Sequence, residues 1–201
     1  MRRTDSRLER ARALSLSVFA ALCLACEKPD RLAEALAIQE SGDLYGSLEP
    51  LRALIAERPD DAEVLFLYGR TLSLLGHVSQ GEFSLEKAME DPQWRVPAGL
   101  QIAIGALRTA NYPRVVAIAS RVLESEPDNV TALLVRAEAR ARSHRDLELA
   151  LADADRVTLL EPDRIEAHKP RILALLALDR IADAEHAIAD LGSQLEERES
   201  G

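Results

Sequence analysis

The chain is poor in aromatic residues and in cysteine. Phe, Trp and Tyr together make up 3% of its 201 residues, whereas apolar residues as a whole make up 47%. Its core must therefore be built from Ala, Leu, Val and Ile and not from rings. The only cysteines are Cys23 and Cys26, so the chain beyond them has neither a disulfide framework nor a thiolate zinc site.

Catalytic and metal-binding motifs are lacking as well. The sequence has no His-Glu-x-x-His pair, no Gly-rich phosphate loop after a strand and no Gly-x-Ser-x-Gly elbow. His186 stands near two aspartates but lacks the further ligands that a metal site needs. The acidic pairs Asp60–Asp61 and Asp153/Asp155 are expected at helix starts or on exposed faces. We therefore predict no enzyme activity, no cofactor and no metal site.

The chain also lacks a strand pattern and an excess of positive charge. Alternation of β-branched or aromatic residues with polar ones is nearly absent, while the strong helix formers Ala, Leu, Arg and Glu dominate. The formal net charge is −9, and so acidic a chain repels phosphate backbones unless it has a concentrated basic stripe. The sequence predicts an all-α protein that does not bind nucleic acid.

The N-terminal segment differs from the rest in charge and hydropathy. Residues 1–25 combine five arginines with an apolar stretch of 13 residues from Ala13 to Ala25. As a helix this stretch would span about 20 Å, well short of the ~30 Å apolar core of a bilayer. Such a length is typical of an export signal, so we exclude residues 1–25 from the fold as a signal peptide.

The end of this segment, LCLAC over residues 22–26, resembles the signal of bacterial lipoproteins. In that class a small residue precedes a cysteine that is acylated and becomes the mature N-terminus. The resemblance makes Cys26 the lipidation site and anchors the protein to a membrane. Ordinary secretion after cleavage at Ala25, an uncleaved anchor helix and no export are the alternatives. Glu27, the next residue, favours the outer membrane, facing the periplasm.

Four prolines beside acidic residues punctuate the chain at nearly constant intervals. Pro59, Pro92, Pro127 and Pro162 are 33, 35 and 35 residues apart. Proline ends a helix because it cannot donate the next hydrogen bond and disfavours helical geometry in the residue before it. A period of about 34 residues is typical of solenoids built from helical hairpins. The sequence therefore predicts a solenoid of about five antiparallel helix pairs.

These units resemble tetratricopeptide repeats, in which small residues lie where the paired helices touch. The matching small residues are Ala35, Gly69, Ala103 and Ala137 in the first helices, and Ser47, Gly81, Ala150 and Ala184 in the second helices. One turn later the second helices contain residues expected to face inward, namely Leu51, Leu85, Ala119, Ala154 and Ile188. The Asp or Asn residues that follow three of the four prolines are expected to cap the next helix, namely Asp60, Asp61, Asp128, Asn129 and Asp163. Pro170 requires its helix to begin near Lys169 or to be irregular there.

The resemblance also implies that the first helices line the concave face of a right-handed superhelix, where a protein or peptide partner binds. Transferred onto this chain, that groove consists of Leu36, Phe66, Arg70, Leu100, Ile104, Arg108, Leu134, Arg142, Lys169 and Leu173. An apolar groove with basic residues suits a segment that has apolar anchors and one or two carboxylates. The alternative is that the basic residues are solvated or paired with Glu63, Glu138 or Glu166 and select nothing.

The sequence thus predicts three segments: a signal peptide over 1–25, a helical repeat domain over 26–195 and an acidic tail over 196–201. The expected function is a non-catalytic adaptor or scaffold of the bacterial cell envelope, held at the membrane through Cys26. A soluble secreted or cytosolic regulatory module that self-associates through its ends is the alternative.

Overall fold

The computed structural model describes residues 30–200, and over this range it contains ten α-helices and no β-strand. Their bounds are α1 Arg31–Glu40, α2 Leu48–Glu57, α3 Ala62–Leu74, α4 Val78–Ala88, α5 Arg95–Arg108, α6 Tyr112–Ser125, α7 Val130–Ser143, α8 Leu147–Leu160, α9 His168–Ala177 and α10 Ile181–Ser200. A short 3₁₀ helix, Ile165–Ala167, precedes α9. The predicted signal peptide and Cys26 lie outside the described residues, so both stay predictions.

Consecutive helices pair into five hairpins, each with an odd-numbered first helix and an even-numbered second helix. First helices of adjacent hairpins also contact one another, α3 with α5, α5 with α7, and α7 with α9. Nε2 of Gln39 on α1 donates to Oγ1 of Thr71 on α3 at 2.7 Å, so all five first helices form one continuous layer, which we call the inner layer. The predicted all-α solenoid of five helix pairs is confirmed.

A residue in the left-handed backbone region marks the turn inside each of the five hairpins. These residues are Gly42, Gly76, Ala110, His144 and Asp179, with φ values of 87°, 89°, 58°, 53° and 58°. Glycine suits such turns because it has no Cβ, whereas an L-residue there costs roughly 1–2 kcal/mol. The fourth turn contains a further left-handed residue, Asp146, with φ 51°. The repeat therefore keeps its turn geometry even where it loses glycine.

The predicted small residues lie between the paired helices, and all eight are buried. The tightest contact joins α3 to α4 at Gly69 and Gly81. A Cβ added at Gly81 would lie 2.4 Å from the carbonyl oxygen of Gly69, and one added at Gly69 would lie 2.7 Å from that of Gly81. Neither separation is compatible with a side chain, so this helix spacing requires glycine at both positions.

The predicted caps are present after Pro59 and Pro127, whereas after Pro162 the 3₁₀ helix follows Arg164 without a side-chain cap bond, so the predicted cap by Asp163 is wrong. Asp61 and Asn129 each accept a hydrogen bond from the backbone N–H three residues later, at 3.3 and 3.0 Å. These bonds satisfy donors that have no partner inside the helix. Pro170 lies in the first turn of α9, which begins at His168 directly after the 3₁₀ helix. Its missing N–H therefore leaves no helical hydrogen bond unmade.

Buried apolar side chains form three clusters along the solenoid, one in the first two hairpins, one from the second hairpin to the start of the fifth, and one in the last two. The residues predicted to face inward are fully buried in the first four hairpins: Leu51, Leu85, Ala119 and Ala154. Ile188 is 51% exposed, so its predicted burial is wrong. Its helix packs on α9 at Ala184 and Ala187, and Ile188 lies at the edge of this contact.

The last helix continues through residues 196–199, which the sequence analysis separated as an acidic tail; they are helical and exposed. Within residues 30–200 none of the helices has the length and apolarity that a bilayer crossing requires. The same range contains no group of three or more His, Cys, Asp or Glu side chains that could hold a metal ion.

Candidate partner-binding groove

The inner layer of first helices contains every residue of the predicted groove. Leu36 lies on α1, Phe66 and Arg70 on α3, Leu100, Ile104 and Arg108 on α5, Leu134 and Arg142 on α7, and Lys169 and Leu173 on α9. We refer to this set as the groove residues. The aliphatic members on α5 and α7 are half-buried and pack against the central core cluster. Leu36 and Leu173, towards the two ends, are 36% and 37% exposed.

Phe66 packs against Trp94, the single tryptophan of the chain. The ring centroids are 4.8 Å apart and the ring planes are inclined by 33°. Trp94 directly precedes α5, and both rings rest on the central core cluster. Trp94 therefore packs at the junction between the second and third hairpins, and Phe66 joins these hairpins as well as belonging to the groove.

Three of the four basic groove residues are engaged by groups within the solenoid. Nη1 of Arg108 donates a hydrogen bond to the carbonyl oxygen of Ser73 at 3.3 Å, which links α5 to α3. Oε1 of Glu138 accepts from Nζ of Lys169 at 2.7 Å and lies 3.4 Å from Nη1 of Arg142. One carboxylate thus pairs with two of the cations that the sequence assigned to the groove.

Arg142 and Arg70 differ in their surroundings. The guanidinium of Arg142 lies over the ring of Tyr112, 5.5 Å from its centroid, in a cation–π contact. Arg70 is exposed and forms no ion pair with any of residues 30–200. The alternative, in which basic groove residues pair with carboxylates of the same chain, therefore holds for Arg142 and Lys169. Arg70 remains available to a partner.

A buried ionic cluster of Arg136, Arg140 and Asp153 lies between α7 and α8, and the sequence analysis missed it. Nε and Nη2 of Arg136 donate to the two carboxylate oxygens of Asp153 at 2.8 and 2.7 Å. Nη1 of Arg140 donates to the same carboxylate at 2.6 Å. Asp153 is 6% exposed, so its predicted place on an exposed face is wrong. Two arginines one turn apart on α7 hold it inside.

The surroundings of the ionic cluster do not fully satisfy Arg140. Desolvation by burial lowers the pKa of Arg140 below its usual value, and it outweighs the nearby carboxylates of Asp153 and Asp146. Nε of Arg140 is buried without a hydrogen-bond partner among the described residues. By contrast, Nη1 of Arg136 donates to Oγ of Ser120 at 3.0 Å. The cluster has two guanidinium groups for one carboxylate and therefore has a surplus positive charge.

A pocket of about 560 Å³ lies between α8, α9 and α10, and its lining includes His168 and Arg171. Nε of Arg171 donates to Oδ1 of Asp155 at 2.9 Å, which ties α9 to α8. Nε2 of His168 lies 3.3 Å from Oε1 of Gln194, which ties α9 to α10. The residues of this pocket thus hold the fifth hairpin together and against the fourth.

Five hairpins, small residues at their helix contacts and an inner layer of first helices define a solenoid of the tetratricopeptide type. A solved double mutant of MamA (RS-1 ArsTM) is 16% identical with a TM-score of 0.79, over 85% of this chain and 96% of that one. MamA from residue 41 to its end, from Desulfovibrio magneticus RS-1, is 17% identical with a TM-score of 0.74, over 85% and 94%. A tetratricopeptide repeat protein from Parabacteroides merdae is 15% identical with a TM-score of 0.75, over 83% and 66%.

No family model matches the chain, and no curated protein matches it in sequence. The likeness to these solved structures is therefore one of fold. It confirms the tetratricopeptide fold that the proline period and the small residues predicted.

Proposed function

We propose that the chain is a non-catalytic adaptor or scaffold of the bacterial cell envelope that binds a segment of another protein in its groove. The inner layer of first helices supports this proposal, because it presents aliphatic side chains and an unpaired arginine along one layer of the solenoid. Neighbours that share the tetratricopeptide fold agree with a role in protein–protein interaction.

The contacts within the groove narrow the chemistry of its partner. Leu36 and Leu173 offer exposed apolar surface, and the aliphatic residues between them are half-buried. Arg70 is the groove cation without an acceptor among residues 30–200, whereas Arg142 and Lys169 both pair with Glu138. The partner segment therefore has apolar anchors and a carboxylate placed to meet Arg70.

Photocrosslinking in cells tests the groove. A photoreactive amino acid is placed at Leu100 in the groove and, as a control, at Phe83 on the second helix α4, where the side chain is 73% exposed. We expect a specific adduct from Leu100 and none from Phe83. Equal adducts from both positions would reject the groove as the binding surface.

A pair of charge reversals identifies the contribution of Arg70. Arg70→Glu is expected to weaken the Leu100 adduct about tenfold, because it repels the partner carboxylate. Arg121→Glu is the matched control, since Arg121 is an exposed arginine on the second helix α6 without an ion pair in the described range. If both charge reversals weaken the adduct equally, the net charge of the protein and not the groove determines binding.

Membrane anchorage through Cys26 is a separate part of the proposal, supported by the lipoprotein-like end of residues 22–26. Fractionation of cells is expected to place the wild-type protein with the membranes and the Cys26→Ala variant in the soluble fraction. Cys23→Ala is the control and should stay with the membranes. A wild-type protein found in the soluble fraction would refute the lipid anchor, and it would not affect the proposal that the groove binds a partner.

A soluble regulatory module that self-associates is the second candidate. It is supported by Ile181, Ile188 and Leu195 of α10, which recur every seven residues and are 48%, 51% and 42% exposed. Such a strip, if covered by a second copy, would bury apolar surface that now faces water. The same helix is rich in Asp and Glu, and this charge opposes the pairing of two copies of α10.

A further inference from the structure

A second pocket, of about 420 Å³, lies beside the ionic cluster, between the turns of the third and fourth hairpins. One wall is formed by the first two turns of α6, and the other by the end of α7 and the turn that follows it. The lining includes Tyr112, Pro113, Val116, Arg140, Arg145 and Asp146. We refer to it as the turn pocket. Its size lies in the range of small-molecule sites, and it has one apolar and one charged wall.

Arg140 connects the turn pocket with the ionic cluster. Its side chain is 11% exposed, and Nη1 donates to the carboxylate of Asp153 at 2.6 Å. Its Nε is buried and has no hydrogen-bond partner among residues 30–200. A buried guanidinium N–H without an acceptor is costly and rare in native structures. An anion in the pocket would lie beside this guanidinium without reaching the buried Nε, and its charge would stabilise the cation.

The charges around the turn pocket do not balance. Arg136 and Arg140 share the single carboxylate of Asp153. Arg145 and Asp146 also line the pocket, and neither forms an ion pair with a described residue. Three cations thus meet two anions. One further negative charge would neutralise the site, and the partly desolvated setting strengthens the attraction.

We propose that the turn pocket binds a monocarboxylate with an apolar body. The carboxylate lies towards Arg140 and Arg145, because the planar guanidinium matches a carboxylate in geometry and charge. The apolar body rests on Tyr112, Pro113 and Val116, where it loses contact with water. A small organic acid and the C-terminal residue of a peptide share this chemistry. None of the groove residues lines this pocket, although the groove residue Arg142 packs on the ring of Tyr112.

Calorimetric titration of the full chain in mild detergent tests the pocket with three probes: N-acetyl-phenylalanine, its amide, and phenylacetate. We expect N-acetyl-phenylalanine to bind and its uncharged amide to bind at least about tenfold more weakly. Binding of phenylacetate as well identifies a simple organic acid as sufficient, whereas binding of N-acetyl-phenylalanine alone identifies a peptide C-terminus. If neither carboxylate binds, or the amide binds equally well, the proposal is overturned.

Two adjacent substitutions in the turn should act in opposite directions. Arg145→Gln removes an attracting charge and is expected to weaken binding of the carboxylate probe about three- to tenfold. Asp146→Asn removes a repelling charge, and Asn tolerates the left-handed backbone of this position, so binding should tighten about two- to fivefold. Arg121→Gln and Arg70→Glu, both outside the pocket, should leave the affinity unchanged. If Arg145→Gln and Asp146→Asn change the affinity for the carboxylate probe in the same direction, or do not change it, recognition by charge in the pocket is rejected.

Discussion

Arg136 and Asp153 join α7 to α8 through two parallel hydrogen bonds, of 2.8 Å from Nε and 2.7 Å from Nη2. Arg140, one turn further along α7, binds the same carboxylate. Bidentate pairs of this kind form strong, well-directed hydrogen bonds, but the free-energy cost of removing both charges from water offsets much of their attraction. The contact therefore affects stability most when one charge loses its partner.

Replacement of the shared carboxylate should be strongly destabilising. Asp153→Asn leaves two largely buried guanidinium groups without a counter-charge, and we expect a loss of about 3–5 kcal/mol in the free energy of unfolding. Urea unfolding followed by circular dichroism measures it. Asp155→Asn, two residues later, is the control, because Asp155 pairs with Arg171 near the surface and should cost less than about 1 kcal/mol. Equal losses in the two variants would contradict a special role for Asp153.

The glycine contact between α3 and α4 gives a second prediction. A methyl group at Gly81 would meet the backbone oxygen of Gly69 at 2.4 Å, and neither backbone can move without separating the hairpin. Gly81→Ala should therefore destabilise the protein by about 1–3 kcal/mol. Gly192→Ala adds the same methyl group in α10, where nothing lies within 4 Å. This variant should be more stable by about 0.5–1 kcal/mol, because alanine favours the helix.

Thermal and urea unfolding of both glycine variants check these signs. A destabilised Gly192→Ala protein would show that the helix contact is not what distinguishes the two positions. Similar stability of Gly81→Ala and wild type would mean that α3 and α4 separate at little cost.

The hairpins and their contacts could be predicted because each depends on features close together in the sequence. Proline ends a helix wherever it occurs in one, and a small residue such as Gly81 marks a close contact from its position in the repeat. Asp153 could not be placed in this way, because its burial depends on which side of α7 faces α8. The spacing of Arg136 and Arg140, four residues apart on one helix, was the available signal.

The positions of the groove residues on the first helices could be predicted from the sequence, but the ion pairs that these residues form could not. Membership of the first helices follows from the repeat period, so the positions of Leu100 and Ile104 on α5 could be inferred. The pairing of Lys169 with Glu138 joins α9 to α7, and a period does not reveal such contacts between side chains. Ile188 is a related case, because its position in the repeat predicts which face it occupies and not whether another helix covers that face.

The left-handed turns lead to a third prediction. Ala110 has φ 58° in the position where the first two hairpins use glycine. Ala110→Gly relieves the strain of an L-residue in this region, and this gain exceeds the entropy that glycine loses on folding. We expect a stabilisation of about 0.5–1 kcal/mol. Gly76→Ala reverses the exchange at the equivalent turn and should destabilise by about 1 kcal/mol or slightly more. Opposite signs in urea unfolding verify the assignment, and equal signs would argue against it.

The exposed strip of α10 gives the last prediction, and it decides between the two candidate functions. Ile188 is 51% exposed on a helix that is rich in acidic side chains. If α10 is free in solution, Ile188→Asp should change stability by less than about 0.5 kcal/mol, because exposed substitutions rarely do more. Light scattering of the Cys26→Ala protein should then give a monomer with and without Ile188→Asp. A dimer whose dissociation depends on concentration, and which Ile188→Asp disrupts, would instead favour the self-associating module. The repulsion between two acidic helices makes the monomer the expected result, with α10 left open to a basic or neutral partner.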